Sequence, residues 1–203
     1  MIVLGVDEVG RGCIAGPLVV GVVVLRHPLP GLKDSKLLSQ LKRQTLAKLI
    51  YEQADQTALG WVSAFELDKI GLTNSLSLAA LRALQNLTCD YDMVILDGKF
   101  NYLPKNVNVQ TMIGADNIIP SVSAASIIAK VARDSYMIKQ DSIFPNYGFK
   151  NNVGYGTKFH IEALLNNGIC QLHRQTFEPV KSYLSRNNLI KTSRHAVSIA
   201  PAK

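Results

Sequence analysis

Asp7 and Glu8 are adjacent carboxylates behind an apolar run, and a Gly10-Arg11-Gly12 turn follows them at once. Carboxylate oxygens are what hard divalent cations such as Mg²⁺ prefer, and such ions keep waters and bridge to substrate phosphate. A glycine-rich turn lets backbone approach a ligand closely. Neighbouring strand residues point to opposite faces, so both acids serve one site only where the strand is ending, or if one acts through its carbonyl. Read alone, the pair is equally a surface Asp-Glu before a tight turn. Gly10, Gly12 and Gly16 nearly match a dinucleotide fingerprint, but that motif needs a helix directly after the glycines to receive the pyrophosphate. Here a β-type run, Leu18–Leu25, follows.

A second acid, Asp97, ends the apolar segment Met93-Val94-Ile95-Leu96, at the strand edge where open α/β sheets place ligands. A third, Asp116, lies in Gly114-Ala115-Asp116-Asn117 before a long helix, a position where Asp also serves helix starts. Asp134 stands four residues after Lys130, and an ion pair on the helix surface accounts for it. His160 and His173 occupy the basic half without HxxxH or HxH spacing, which argues against a histidine zinc site.

The elements that must position these residues alternate between periods of two and 3.6. Ile2–Asp7, Leu18–Leu25, Thr57–Val62, Asp92–Asp97 and Val107–Met112 read as strands. Helices are expected from Ser39 to about Ala54, over Asn74–Leu87, from Ser121 to about Asp141, and over Thr157–Asn166. The third is rich in small residues: Ala124, Ala125, Ser126, Ala129 and Ala132. The alternation indicates an α/β fold. From about Arg186 the chain turns polar and aperiodic, and residues 187–203 are expected to form a flexible tail behind a domain spanning 1–186.

At 203 residues, 47% hydrophobic and with mean hydropathy +0.11, the chain can bury a core without a disulfide or metal staple. No apolar stretch approaches the roughly 20 residues that span a bilayer, and no basic region precedes the first apolar run. Three cysteines without a CxxC pair suggest reduced thiols and a cytoplasmic setting. The net charge of +7 is uneven: residues 1–100 carry ten cations and ten acids, residues 101–203 twelve and five. A basic half beside an acid-bearing half suits a polyanion held next to a carboxylate site, though a solvated basic surface would look the same.

Taken in order, the motifs resemble the type 2 ribonuclease H family, ribonuclease HII in bacteria. The match runs through Asp7-Glu8-Val9-Gly10-Arg11-Gly12, Asp34-Ser35-Lys36-Leu37-Leu38-Ser39, Asp97-Gly98 and the helix Val122–Asp134. It continues through Pro145-Asn146-Tyr147-Gly148-Phe149, Gly154-Tyr155-Gly156-Thr157 with His160, and His173-Arg174-Gln175-Thr176-Phe177-Glu178-Pro179-Val180, covering about residues 2–183. The resemblance implies a ribonuclease H-like mixed five-stranded sheet flanked by helices, with a C-terminal helical extension. It implies an endonuclease acting on the RNA strand of RNA–DNA hybrids and on ribonucleotides embedded in duplex DNA, as in ribonucleotide excision repair. Four acids, Asp7, Glu8, Asp97 and Asp116, would hold two Mg²⁺ or Mn²⁺ ions for hydrolysis to 5′-phosphate and 3′-hydroxyl ends. Gly10, Arg11 and Gly12 would read the 2′-hydroxyl, Tyr155 would pack on the neighbouring deoxyribose, and Lys36 would lie by a phosphate. The expected state is a monomer.

The family usually carries His-Lys before Gly-Tyr-Gly, where this chain has Asn152-Val153. A non-catalytic binder of hybrid duplex, or a different metal nuclease on the same fold, would use the same groove. The four acids weigh against a pure binder, which has no use for them beside phosphates.

Overall fold

The computed structural model describes residues 1–27, 29–32, 38–104 and 107–187. Lys36 and all but the first residue of the tail expected over 187–203 lie outside them, and Asn187 itself is helical. Five strands form one mixed sheet: β1 (Val3–Val9), β2 (Leu18–Leu25), β3 (Gln56–Val62), β4 (Met93–Asp97) and β5 (Val109–Met112), in the order β3-β2-β1-β4-β5. β2 runs antiparallel to both β1 and β3, while β1, β4 and β5 are parallel. The β-branched run of β2 is buried along both faces, as befits an inner strand.

One face is covered by α2 (Ala64–Leu84), which packs Leu67, Leu76, Ala79 and Ala83 against Leu4, Val6, Val20 and Val22. The other is covered by α1 (Gln40–Gln53) and α3 (Pro120–Asp141), whose Ile50, Ala124, Ala125 and Ile128 meet Val23. The small residues of α3 have a direct purpose. A Cβ on Gly5 of β1 would lie 2.1 Å from the Ser121 carbonyl carbon, and one on Gly21 of β2 2.5 Å from the Ala125 carbonyl oxygen. Helix and sheet touch backbone to backbone there, which brings the next turns of α3 over the ends of β1 and β2.

After α3 come a 3₁₀ turn (Pro145–Tyr147), the short α4 (Phe149–Asn152), α5 (Lys158–Asn167) and a further helical stretch, 180–187. Among the described residues no helix is long and apolar enough to cross a membrane.

Ser39 and Thr157 cap α1 and α5 through their side chains, and Gly168 follows α5, as their sequence positions suggest. Several element boundaries differ from expectation, and two have a clear physical cause. α2 begins at Ala64, ten residues earlier than the leucine spacing indicates, because Ser63 and Glu66 form a capping box. Gly71, at φ 77°, kinks the helix and breaks the periodicity. β1 continues to Val9 instead of ending at Asp7, since β2 pairs with it as far as Val9↔Val19.

Candidate active site

The parallel pairing of β1 with β4 stops at Val6↔Leu96, one residue short of Asp7 and Asp97. Both acids therefore stand where the sheet opens, although β1 is still held by β2 on its other side. Asp7 points toward α3 and Glu8 toward the opposite face, as the pleat requires. Asp7 accepts hydrogen bonds from the Ser126 hydroxyl of α3 and, at 2.8 Å, from the Glu8 backbone N–H. Glu8 Oε2 accepts from the Tyr102 hydroxyl at 3.0 Å, and Oε1 lies 3.4 Å from the Arg11 guanidinium.

The site is short of positive charge. Burial, reinforced by the charges of Glu8 and Asp97, pushes Asp7 up to about 7 against the Ser126 hydrogen bond. Burial likewise raises Glu8, opposed by the Tyr102 hydrogen bond and by Arg11. Buried Tyr102 is driven well above its ordinary value by burial and by the surrounding acids, so it remains a donor to Glu8.

Asp97 Oδ1 accepts from the Ala115 N–H at 2.8 Å, tying the end of β4 to the 3₁₀ turn Ala115–Asn117 that carries Asp116. Asp116 is buried, and Asn117 Nδ2 donates to its Oδ1 at 3.0 Å. It does not cap α3, whose first turn takes no side-chain cap. Asp116 lines a different cavity from Glu8, together with Leu32, Asn117 and Ser123. Asp7, Glu8 and Asp97 are thus coupled directly, while Asp116 joins them through the Asp97–Ala115 bond. Among the described residues no three His, Cys, Asp or Glu side chains close into a ready-made cage for a metal ion. The donor set nevertheless fits hard divalent cations: it is carboxylate oxygen throughout, and its mutual repulsion is what a cation relieves.

The Gly10–Gly12 turn is fixed from behind. Arg174, fully buried, donates through Nε to the Gly16 carbonyl at 3.0 Å and through Nη1 to the Arg11 carbonyl at 3.2 Å. Arg133, also buried, donates to the carbonyls of Ala15, Pro17 and Val153. Gly10, at φ 87°, packs so tightly on Arg133 that a Cβ would lie 2.3 Å from Nε. Gly12 is the opposite case: a Cβ there would meet nothing within 4 Å, so no protein contact explains the glycine.

Tyr155 stands across this turn. The Gly154 carbonyl accepts from the Ile14 and Ala15 N–H groups at 3.0 and 3.2 Å, and Tyr155, 40% exposed, has Lys130 Nζ 5.4 Å from its ring centroid. Lys130 also pairs with Asp134 at 3.0 Å, the expected i,i+4 contact. A cavity of about 290 Å³ is lined by Glu8, Arg43, Ser126, Lys130 and Tyr155, so one of the acids shares a cleft with two cations and the aromatic.

This chain belongs to the ribonuclease HII family. The family model matches residues 4–180. Ribonuclease HII of Sulfurovum sp. (strain NBC37-1) is 44% identical over 175 residues, 85% of this chain and 89% of that protein. Ribonuclease HII of Nitrosococcus oceani is 43% identical over 185 residues, 90% and 91% of the two chains. Among solved structures, ribonuclease H2 from Pyrococcus horikoshii OT3 superposes with a TM-score of 0.78 at 27% identity, covering 92% of this chain and 98% of that one. Family and fold together support a ribonuclease H type of endonuclease activity.

Against the ribonuclease HII pattern, Asn152 is buried and its side chain donates to the Tyr147 carbonyl at 2.7 Å and accepts from the Gly154 N–H at 2.8 Å. It supports the tyrosine loop from below instead of presenting a cation. Reasoning from sequence missed Ser126, Tyr102 and Arg43. The first could have been found four residues before Lys130 on one helical ridge. Tyr102 sits in an irregular segment that no periodicity marks. Arg174, counted by sequence among the cations facing a polyanion, is a buried brace.

Proposed function

We propose that the protein is an endonuclease that hydrolyses the RNA strand of RNA–DNA hybrids and incises duplex DNA at embedded ribonucleotides. One observation carries the reading: Glu8, coupled to Asp7 and Asp97 and followed at once by the glycine turn, lines a cleft with the exposed Tyr155. Asp7, Glu8, Asp97 and Asp116 would hold divalent cations, Mg²⁺ or Mn²⁺. When bound, two such ions supply charge neutralisation at the scissile phosphate and a more acidic water, giving 5′-phosphate and 3′-hydroxyl ends.

The chain's own groups do the rest. Ser126 and Tyr102 hold the Asp7 and Glu8 carboxylates on the two faces of β1. The open space over Gly12 admits a sugar against backbone, where N–H and C=O groups can test for a 2′-hydroxyl, the group that separates RNA from DNA locally. Arg11, paired with Glu8, sets the turn's outer edge. The Tyr155 ring offers a flat face to the following deoxyribose, which lacks the 2′-hydroxyl. Lys130 and Arg43, at the cleft wall, suit backbone phosphates, and binding through them should weaken with salt. A phosphate-side role for Lys36 rests on the motif alone.

The test uses three duplexes: all-DNA, DNA with one ribonucleotide, and RNA–DNA hybrid, each with Mg²⁺, with Mn²⁺ or with chelator. Cation-dependent cutting of the second and third alone is expected. Cutting of the all-DNA duplex would point to a general metal nuclease, and binding without cutting to a hybrid-binding protein.

A further inference from the structure

His160 and His173, thirteen residues apart in sequence, meet ring to ring, with Nε2 atoms 3.2 Å apart. Both are buried, with the rings of Tyr147 and Phe149 packed edge-on or tilted around them. Their outer nitrogens decide where the protons lie. The Cys170 backbone N–H donates to His173 Nδ1 at 2.9 Å, so that nitrogen carries no proton and a neutral ring bears its own on Nε2. That proton points at His160 Nε2, which must accept. His160 therefore carries its proton on Nδ1, 2.8 Å from the Tyr155 carbonyl oxygen. The result is a one-way series of donors: Cys170 N–H to His173, His173 to His160, His160 to Tyr155.

One end of this series reaches the cleft and the other the segment that follows the glycine turn. Tyr155 is the exposed aromatic of the site, and its carbonyl accepts from the Thr157 N–H as well. His173 forms a β-bridge with Ala15, and the next residue, Arg174, braces the carbonyls of Arg11 and Gly16. The pair thus spans the gap between the tyrosine loop and the glycine turn.

We propose that His160 and His173 are positioning residues for Tyr155: a neutral two-histidine relay that fixes the Tyr155 carbonyl, and through it the ring, relative to the Gly10–Gly12 turn. The inference rests on the reading of Tyr155 as the group that senses the deoxyribose after the ribonucleotide. Breaking the relay should cost discrimination between substrates, not the acid chemistry, since neither histidine touches the carboxylates.

The readout is the ratio of kcat/KM on DNA with a single ribonucleotide to kcat/KM on a long hybrid. His173→Leu removes the donor to His160, and the ratio should fall about five- to tenfold, the scale of one lost buried hydrogen bond. His173→Gln, which can keep an N–H near the Nε2 position, should restore most of it. In a Tyr155→Ala background, His173→Leu should lower the ratio no further. A parental ratio in folded His173→Leu, with a lowered ratio in Tyr155→Ala, would overturn the relay and leave the tyrosine reading standing. An unchanged ratio in Tyr155→Ala would remove the tyrosine reading, and the relay with it. Ring ¹⁵N resonances of the unaltered protein near neutral pH give a check that needs no variant. Protons on His160 Nδ1 and His173 Nε2 are expected, and a charged ring or the opposite tautomers would overturn the relay.

Discussion

The Asp97 carboxylate accepts the Ala115 backbone N–H at 2.8 Å, so the acid that ends β4 also anchors the turn carrying Asp116. One side chain has two separable jobs, a charge and a hydrogen-bond acceptor. Asp97→Asn keeps an acceptor and drops the charge. It should melt within a few degrees of the parent while losing nearly all cleavage. Asp97→Ala should lose cleavage and about 1 kcal/mol of stability besides, because the Ala115 N–H is left without its partner. Thermal melts beside single-turnover assays distinguish the two, and substantial turnover by Asp97→Asn in Mg²⁺ would remove Asp97 from the catalytic set.

Without cations, repulsion among Asp7, Glu8 and Asp97 should make the site a weak point of the fold. Asp7→Asn keeps acceptors for Ser126 and the Glu8 N–H but removes one buried negative charge. At pH 8 in chelator the variant should be more stable than the parent, by about 1–3 kcal/mol. Mg²⁺ or Mn²⁺ should stabilise the parent more than the variant, since binding to the folded state alone adds stability. Denaturant titrations with and without cation provide the comparison. A less stable variant under chelator would show that the carboxylate's contacts outweigh its repulsion.

Arg133 should be among the costliest side chains to remove. Its replacement by Met keeps the length but leaves the carbonyls of Ala15, Pro17 and Val153 without a donor. A loss of at least about 3 kcal/mol is expected. Lys130→Met, on the same helix and partly exposed, should cost under about 1 kcal/mol while weakening substrate binding. Urea midpoints measured for both variants would decide it.

The histidine pair predicts a direction for acid sensitivity. Burial depresses both rings, and His173, also repelled by a charged His160, titrates at about 4 when folded against roughly 6.5 unfolded. Between those values the unfolded chain binds the proton that the folded one refuses. Stability from this pair is therefore full above about pH 6.5 and drains away as pH falls toward 4. His173→Gln removes that titration. At pH 5 the parent should have lost roughly 1–2 kcal/mol more than the variant, each relative to its own value at pH 7.5. Equal losses would show that the pair does not take up protons on unfolding.

What sequence alone conveys here divides along a physical line. Strand β2 and the starts of α1 and α5 follow from local chemistry, a β-branched run and capping hydroxyls, and their positions agree with the structure. Asp7, Glu8 and Asp97 were legible because each stands at the end of an apolar run. The first half of α2 was not, since Gly71 interrupts the leucine periodicity; the Ser63–Glu66 capping box was the available signal. Ser126, Tyr102 and the two histidines acquire their roles only through contacts between distant segments. No spacing rule brings Tyr102 to Glu8, 94 residues away, or His160 to His173 with a particular proton order. The buried arginines show the same limit, because charge counting treats every arginine as surface.

Arg174 reaches back 163 residues to Arg11 and 158 to Gly16. During synthesis the glycine turn leaves the ribosome well before its brace. A growing chain halted before residue 173 already carries all four acids, but lacks both the guanidinium that holds the turn and the histidine of the proposed relay. On the proposed reading, the turn and the tyrosine loop are set only when the C-terminal segment docks. Until then an unfinished chain would carry its acids without the brace that fixes the turn beside them.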